Sequence, residues 1–213
     1  MDSKTCILIG APVDSGKRRQ GCPMGPDAYR VAGLAETLTA LGFNVEDRGN
    51  VKMGPIEPAS SENPEVFALG ETIAWTKSLK AAAQQAMAQG FPIFMGGDHS
   101  LSLGTVSGVA SYAREQDRPQ FVLWLDALSD YHSPLTTASG NLHGTPVGYV
   151  CGRDGFTGFP ELEAPVPPAQ VCMIGLRSVD GAEKAEMARH DFILHDMRAI
   201  DENGIAPLLR GFL

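Results

Sequence analysis

Short apolar runs alternating with stretches of helical period restrict this chain more than any other feature. Strand and helix in such alternation bury their apolar faces together only as β-α-β units, a parallel sheet covered by helices. The runs are "CILIGAP", "FNVEDRG", "FPIFMGG", "QFVLWLDA", "VCMIGL" and "DFILHDM". Between the first two, "GPDAYRVAGLAETLTALG" starts with a proline and ends on Gly42. Val31, Leu34, Leu38 and Leu41 recur at helical spacing, which predicts one amphipathic helix. A second helix is predicted from about Pro64 to Gln89, N-capped by Asn63, and a third from about Leu101 to Arg114. "VKMGPIEPASSENPE" reads as a surface loop, because strand-helix alternation resumes directly after it. The expected fold is α/β, a three-layer α-β-α arrangement around a mainly parallel sheet, with residues 1–213 as a single domain.

Charge narrows the partners. A net charge of -8 argues against a phosphate backbone as ligand, since nucleic-acid binding needs clustered Lys and Arg. Small molecules or proteins are expected instead. Cys6, Cys22, Cys151 and Cys172 are far apart and form no C-x-x-C pair, so they read as reduced residues of an intracellular protein. The start, "MDSKTCILIGAP", meets glycine and proline too early for a signal-peptide core, and no apolar run reaches the length of a membrane span. The expected location is the cytoplasm, with no membrane partner.

In parallel α/β sheets ligands gather at the carboxyl ends of the strands, and the polar residues of this chain fall there. Asp98 and His99 end the third strand, Asp126 and Asp130 follow the fourth, and Arg177 and Asp180 follow the fifth. Residues 126, 128 and 130 alternate, so their side chains can point toward one centre. Two carboxylates with the His99 imidazole make a hard O/N donor set suited to Mn²⁺, Fe²⁺ or Mg²⁺. Leu128, between them, cannot coordinate anything.

Plainer roles compete for each residue. The carboxylates can cap helices or hold turns. His143 can start a helix, His132 can be an ordinary loop residue, and Arg177 with Asp180 can form a local ion pair. His190 and His195 read as structural. "GAPVDSGKRR" looks like a phosphate-binding loop, but five residues rather than four separate Gly10 from Gly16, and Arg18 stands where Ser or Thr would hold magnesium.

Together, "IGAP", "GCPMGPDAYRVAGL", "MGGDHSLSLG", "WLDALSDYHSPLTTASGNLHGTP", "IGLRSVD" and "LHDM" resemble the arginases, within the ureohydrolase group that includes agmatinase. The "SPLTTASGNLHG" stretch is similar to the loop with which arginases hold the amino-acid head of arginine, which favours arginase over agmatinase. The resemblance implies an arginase/deacetylase-like fold and hydrolysis of L-arginine to L-ornithine and urea. It also implies two manganese ions that activate water, and a homo-oligomer, trimeric or hexameric in the family.

By resemblance, His99 and Asp130 match ligands of the first ion, Asp126 a carboxylate shared by both, and His143 a proton-shuttling histidine. Asp130 is counted with His143 among the catalytic residues. His132, Ser139 and Asn141 match contacts to the substrate carboxylate, and Asp180 and Glu183 positions near its amino group. His132 stands where some arginases carry asparagine. Leu128 occupies a histidine position that ligates the second ion. The family pattern continues, beyond the position of Leu213, with an Asp-Val-Asp strand and a later glutamate. An incomplete domain is therefore expected, with no or one manganese ion and weak or lost activity. Strands missing between the third and fourth would leave a gap in the sheet and a marginal or self-associating chain.

Overall fold

The computed structural model describes residues 5–213, so the first four residues of the stretch that argued against a signal peptide lie outside it. Among the described residues six strands form: β1 (Thr5–Ala11), β2 (Asn44–Asn50), β3 (Phe91–Gly96), β4 (Val122–Leu125), β5 (Val171–Leu176) and β6 (Ile193–Asp196). The helices are α1 (Gly25–Val31), α2 (Leu34–Ala40), α3 (Leu69–Met87), α4 (Leu101–Glu115), α5 (Pro146–Val150), α6 (Gly181–Met187), α7 (Met197–Asn203) and α8 (Ile205–Phe212). Each of the six apolar runs contains a strand.

All pairing is parallel, in two three-stranded sheets of order β2-β1-β3 and β4-β5-β6. β3 and β4 are not paired with each other, so each presents an open edge. Exposed apolar residues cluster along these strands: Phe91 on β3, and Phe121, Leu123 and Leu125 on or beside β4. β1 and β5 are central and buried on both faces, as their unbroken hydrophobic runs require. Ile7 and Ile9 pack on Ala86 of α3, and Ala11 packs near Leu79 of the same helix. Val122, Trp124, Val171 and Met173 form a second core with Ala110 of α4, Val147 of α5 and Met187 of α6.

Two helix expectations need correction. The stretch after Gly25 is two helices, because Gly33 adopts a left-handed conformation (φ 81°) that ends hydrogen bonding between α1 and α2. The apolar stripe is not buried either: Val31 is 90% exposed and Leu41 is exposed. The helix expected from Pro64 begins at Leu69, after Ala68 in the left-handed region. Asn63 is no cap; its side-chain amide donates to the backbone oxygens of Pro134 and Thr137. Those bonds tie the long surface loop to the polar loop after β4.

α3 and α4 pack at very short range. A β-carbon at Gly104 would stand 2.6 Å from Thr76 O and 2.7 Å from Leu79 Cβ, and one at Gly108 would stand 2.4 Å from Lys80 O. Side chains there would push the helices apart. All four cysteines are free, and burial pushes the Cys151 thiol up to about 12, which disfavours its thiolate. No helix among the described residues is long and apolar enough to cross a membrane.

Candidate metal centre

β3 runs into Gly97, Asp98 and His99, and α4 starts at Leu101. Asp98 is buried and organises this turn. It accepts hydrogen bonds from the backbone N–H of Gly16 and from both the N–H and hydroxyl of Ser100. The "GAPVDSGKRR" loop is thus folded onto a protein carboxylate, and Gly16 O in turn accepts the His143 N–H. This is the Asx-type chemistry expected of aspartate in a turn, and Asp98 leaves His99 free to face the other strand end.

His99 Nδ1 lies 3.1 Å from Asp126 Oδ2 and 2.8 Å from Asp130 Oδ2. The His99 ring stacks on Trp124 of β4, with centroids 4.6 Å apart and planes inclined by 16°. Trp124 therefore sets the plane in which the imidazole presents its nitrogen, a role with no signal in the sequence beyond an aromatic two residues before Asp126. Asp130 takes a left-handed backbone (φ 48°), and its carbonyl accepts the N–H groups of Val147 and Gly148 at the start of α5. Its buried Oδ2 meets no donor but His99 Nδ1. A buried anionic oxygen beside a second carboxylate and an imidazole nitrogen fits a cation.

The electrostatics agree. Burial pushes the Asp130 carboxyl above its ordinary range and the Asp126 charge adds to this, while His99 pulls the other way. Burial alone would lower His99, but the adjacent Asp130 carboxylate and the charges of Asp126 and Asp98 raise it instead. Both groups thus hold protons more tightly folded than unfolded, where their ordinary values are 3.8 and 6.5. The stability this gives is complete below those values and is lost as pH rises through the folded ones. Metal-free protein is expected to melt at a lower temperature at pH 8 than at pH 5. Scanning calorimetry in a chelating buffer checks this, and a melting temperature that rises over this interval would contradict the geometry.

Leu128 is 43% exposed and offers no donor; its N–H is bound to Asp126 Oδ1. It lines a cavity of about 390 Å³ together with Asp130, His132, Ser139, Asn141, His143, Asp180 and Glu183. The structure therefore brings Asp130 and the expected substrate residues onto one recess, while His99 and Asp126 are not part of its lining.

Within it, Asp180 caps α6 by accepting the Glu183 N–H, and its Oδ2 lies 2.8 Å from His132 Nε2. The hydrogen bond from the Glu183 N–H, helped by the neighbouring His132 ring, holds the Asp180 carboxyl below its usual range. The partner of Asp180 is His132 rather than Arg177, whose guanidinium donates to Gly175 O. His132 is therefore not a plain loop residue. Buried Glu183 accepts from Ser129 Oγ and Tyr131 N. Asn141 Oδ1 accepts the Arg18 N–H, and Ser139 Oγ accepts the Asn141 N–H. His190 and His195 are outside the recess; His190 packs edge-on against Tyr131 and Phe192.

A sequence model described as the arginase family matches residues 4–213. The chain belongs to that family. The arginase of Brucella melitensis is 50% identical over 209 residues, which cover 98% of this chain and 68% of that protein. For the Agrobacterium fabrum arginase the identity is 49% over 211 residues, covering 99% of this chain and 65% of the relative. The chain thus spans about two thirds of the length of these relatives. A crystal structure of Bacillus subtilis arginase superimposes with a TM-score of 0.86 at 30% identity, over 99% of this chain and 70% of that one. The parallel α/β fold is that of the arginases.

Proposed function

We propose that residues 1–213 form one arginase-like domain, acting on L-arginine or a related guanidino compound to release urea, with activity reduced by Leu128. The observation that carries this reading is the buried Asp130 carboxylate, which lines the recess and converges with Asp126 on His99 Nδ1. In this reading His99, Asp126 and Asp130 hold one manganese ion, whose role is to activate water and polarise the guanidinium. The donor set fits one such ion, but a second has no ligand at Leu128.

The remaining residues bind and orient. Asn141, with its oxygen engaged by Arg18, has its amide hydrogens left to donate to a substrate carboxylate, and Ser139 and His132 stand beside it. Asp180 and Glu183 face the substrate ammonium as anions. His143, anchored through its N–H to Gly16, moves a proton to the departing amine, a task suited to an imidazole near neutrality. The free cysteines support a reducing compartment such as the cytoplasm.

Urea release with added Mn²⁺, from arginine and from agmatine side by side, tests the proposal. A turnover below about 0.1 per second is expected, against the usual ~1 to 10³ of enzymes. Arginine is expected to react faster than agmatine, which lacks the carboxylate. Leu128→His is expected to tighten metal binding by about tenfold or more without reaching ordinary turnover. Exposed, non-ligating Leu128 also favours a second reading, a non-catalytic homologue acting through assembly with other chains. Manganese bound with no urea in either variant would select it.

A further inference from the structure

We infer that Asn63 is a positioning residue: it clamps the loop that lines one end of the recess, and the clamp sets the preference of that recess for a ligand bearing a carboxylate. The inference rests on the proposed reading of Ser139 and Asn141 as contacts to the substrate carboxylate. Thr137, Ala138, Ser139 and Asn141 line the recess. They lie in a stretch that is neither helix nor strand. Within it, backbone bonds from the Thr136 and Thr137 N–H groups to Ser133 O close only the first turn.

The rest of its order comes from residues 63–67, none of which lines the recess. The Asn63 amide donates to Pro134 O at 3.0 Å and to Thr137 O at 2.9 Å, and its Oδ1 accepts the Glu65 N–H at 3.1 Å. Those partners fix which way the amide faces, because carbonyl oxygens only accept and a backbone N–H only donates. Further along, the Phe67 N–H donates to Gly140 O at 2.9 Å. Gly140 has a left-handed backbone (φ 70°), and a β-carbon there would collide with Glu65 O, so the two segments run in backbone contact. Arg18 joins them again, its guanidinium donating to Glu65 O and its N–H to Asn141 Oδ1. Residues 134, 137 and 140 are thus gripped from behind, which leaves Ser139 and Asn141 turned to the recess. A loop ordered beforehand does not lose that backbone entropy when the ligand arrives, so more of its hydrogen bonding appears as affinity. Asp180 and Glu183 sit on α6, and among the described residues no hydrogen bond joins them to residues 63–67. The clamp therefore acts on the carboxylate end alone.

Calorimetric titration of the full chain, with Mn²⁺ added, with L-ornithine and with 1,4-diaminobutane tests it. The two ligands differ only in the carboxylate, and neither carries a guanidinium to hydrolyse. Wild type is expected to bind L-ornithine more tightly. Asn63→Asp keeps the acceptor for the Glu65 N–H and turns the donor pair into an oxygen that repels Pro134 O and Thr137 O. It is expected to weaken L-ornithine by about tenfold while the diamine and Mn²⁺ affinities stay within about twofold. Gly140→Ala forces the segments apart from the other side and is expected to show the same selective loss. Far-ultraviolet dichroism separates unfolding from misplacement; if Asn63→Asp loses the wild-type spectrum, Gly140→Ala carries the test. A preference for L-ornithine that survives in the folded variant, or a loss shared equally by both ligands, overturns the inference and leaves the proposed site standing. A wild-type chain that binds the two ligands alike overturns the carboxylate reading and the inference with it.

Discussion

Asp130→Asn is expected to weaken Mn²⁺ binding by on the order of 100-fold or more and, in the same protein, to raise the melting temperature of the metal-free form near neutral pH. The opposite signs follow from a carboxylate that burial and the neighbouring Asp126 charge lift above its ordinary pKa despite the pull of His99. Removing its charge relieves the metal-free fold and removes an anionic ligand. Asparagine is the suitable probe because it tolerates the left-handed backbone at this position, and the carbonyl that holds Val147 and Gly148 remains. Urea release should fall to background with the metal. Calorimetric titration and thermal melts read both effects. Unchanged Mn²⁺ affinity would mean that Asp130 is not a ligand, and a lower melting temperature would mean that its pairing with His99 outweighs the cost of its burial.

Gly104→Val is expected to cost about 3 kcal/mol of folding stability, the upper part of the range for overpacked interiors. Its β-carbon would meet the backbone oxygen of Thr76 and the Cβ of Leu79, neither of which can swing aside as the end of a flexible side chain would. α3 and α4 would have to separate, which opens the contacts that Leu79 makes beneath β1. Gly108→Ala tests the same contact more gently: better helix propensity, about 1 kcal/mol, opposes the clash with Lys80 O at 2.4 Å. Urea denaturation curves give both values. A wild-type midpoint for Gly104→Val would refute the close packing of the two helices.

Most of the strand framework was legible because a parallel strand covered on both faces has to be apolar throughout, and such runs are readable one by one. Helix ends were less legible. Gly33 and Asn63 carry the same local signals whether a glycine breaks a helix or an asparagine caps one. What decided their roles was contact with distant chain, the carbonyls of Pro134 and Thr137 in the case of Asn63. The glycine pair on α4 had no readable meaning without the opposing face of α3.

The same division runs through the candidate site. From the sequence by itself followed the α/β class and the gathering of Asp98, His99, Asp126, Asp130, Arg177 and Asp180 at strand ends, since a parallel sheet sends every carboxyl end to one edge. The donorless Leu128 was equally plain, because side-chain chemistry does not depend on the fold. Only the tertiary structure decided that His99 lies flat on Trp124, that the Asp130 carboxylate is buried against His99 Nδ1, and that His132 pairs with Asp180 instead of standing alone. Those outcomes depend on distances between residues as much as 48 positions apart, as for His132 and Asp180. Burial and approach at that range come from how the sheets and helices close on one another, a property that no local run of residues encodes.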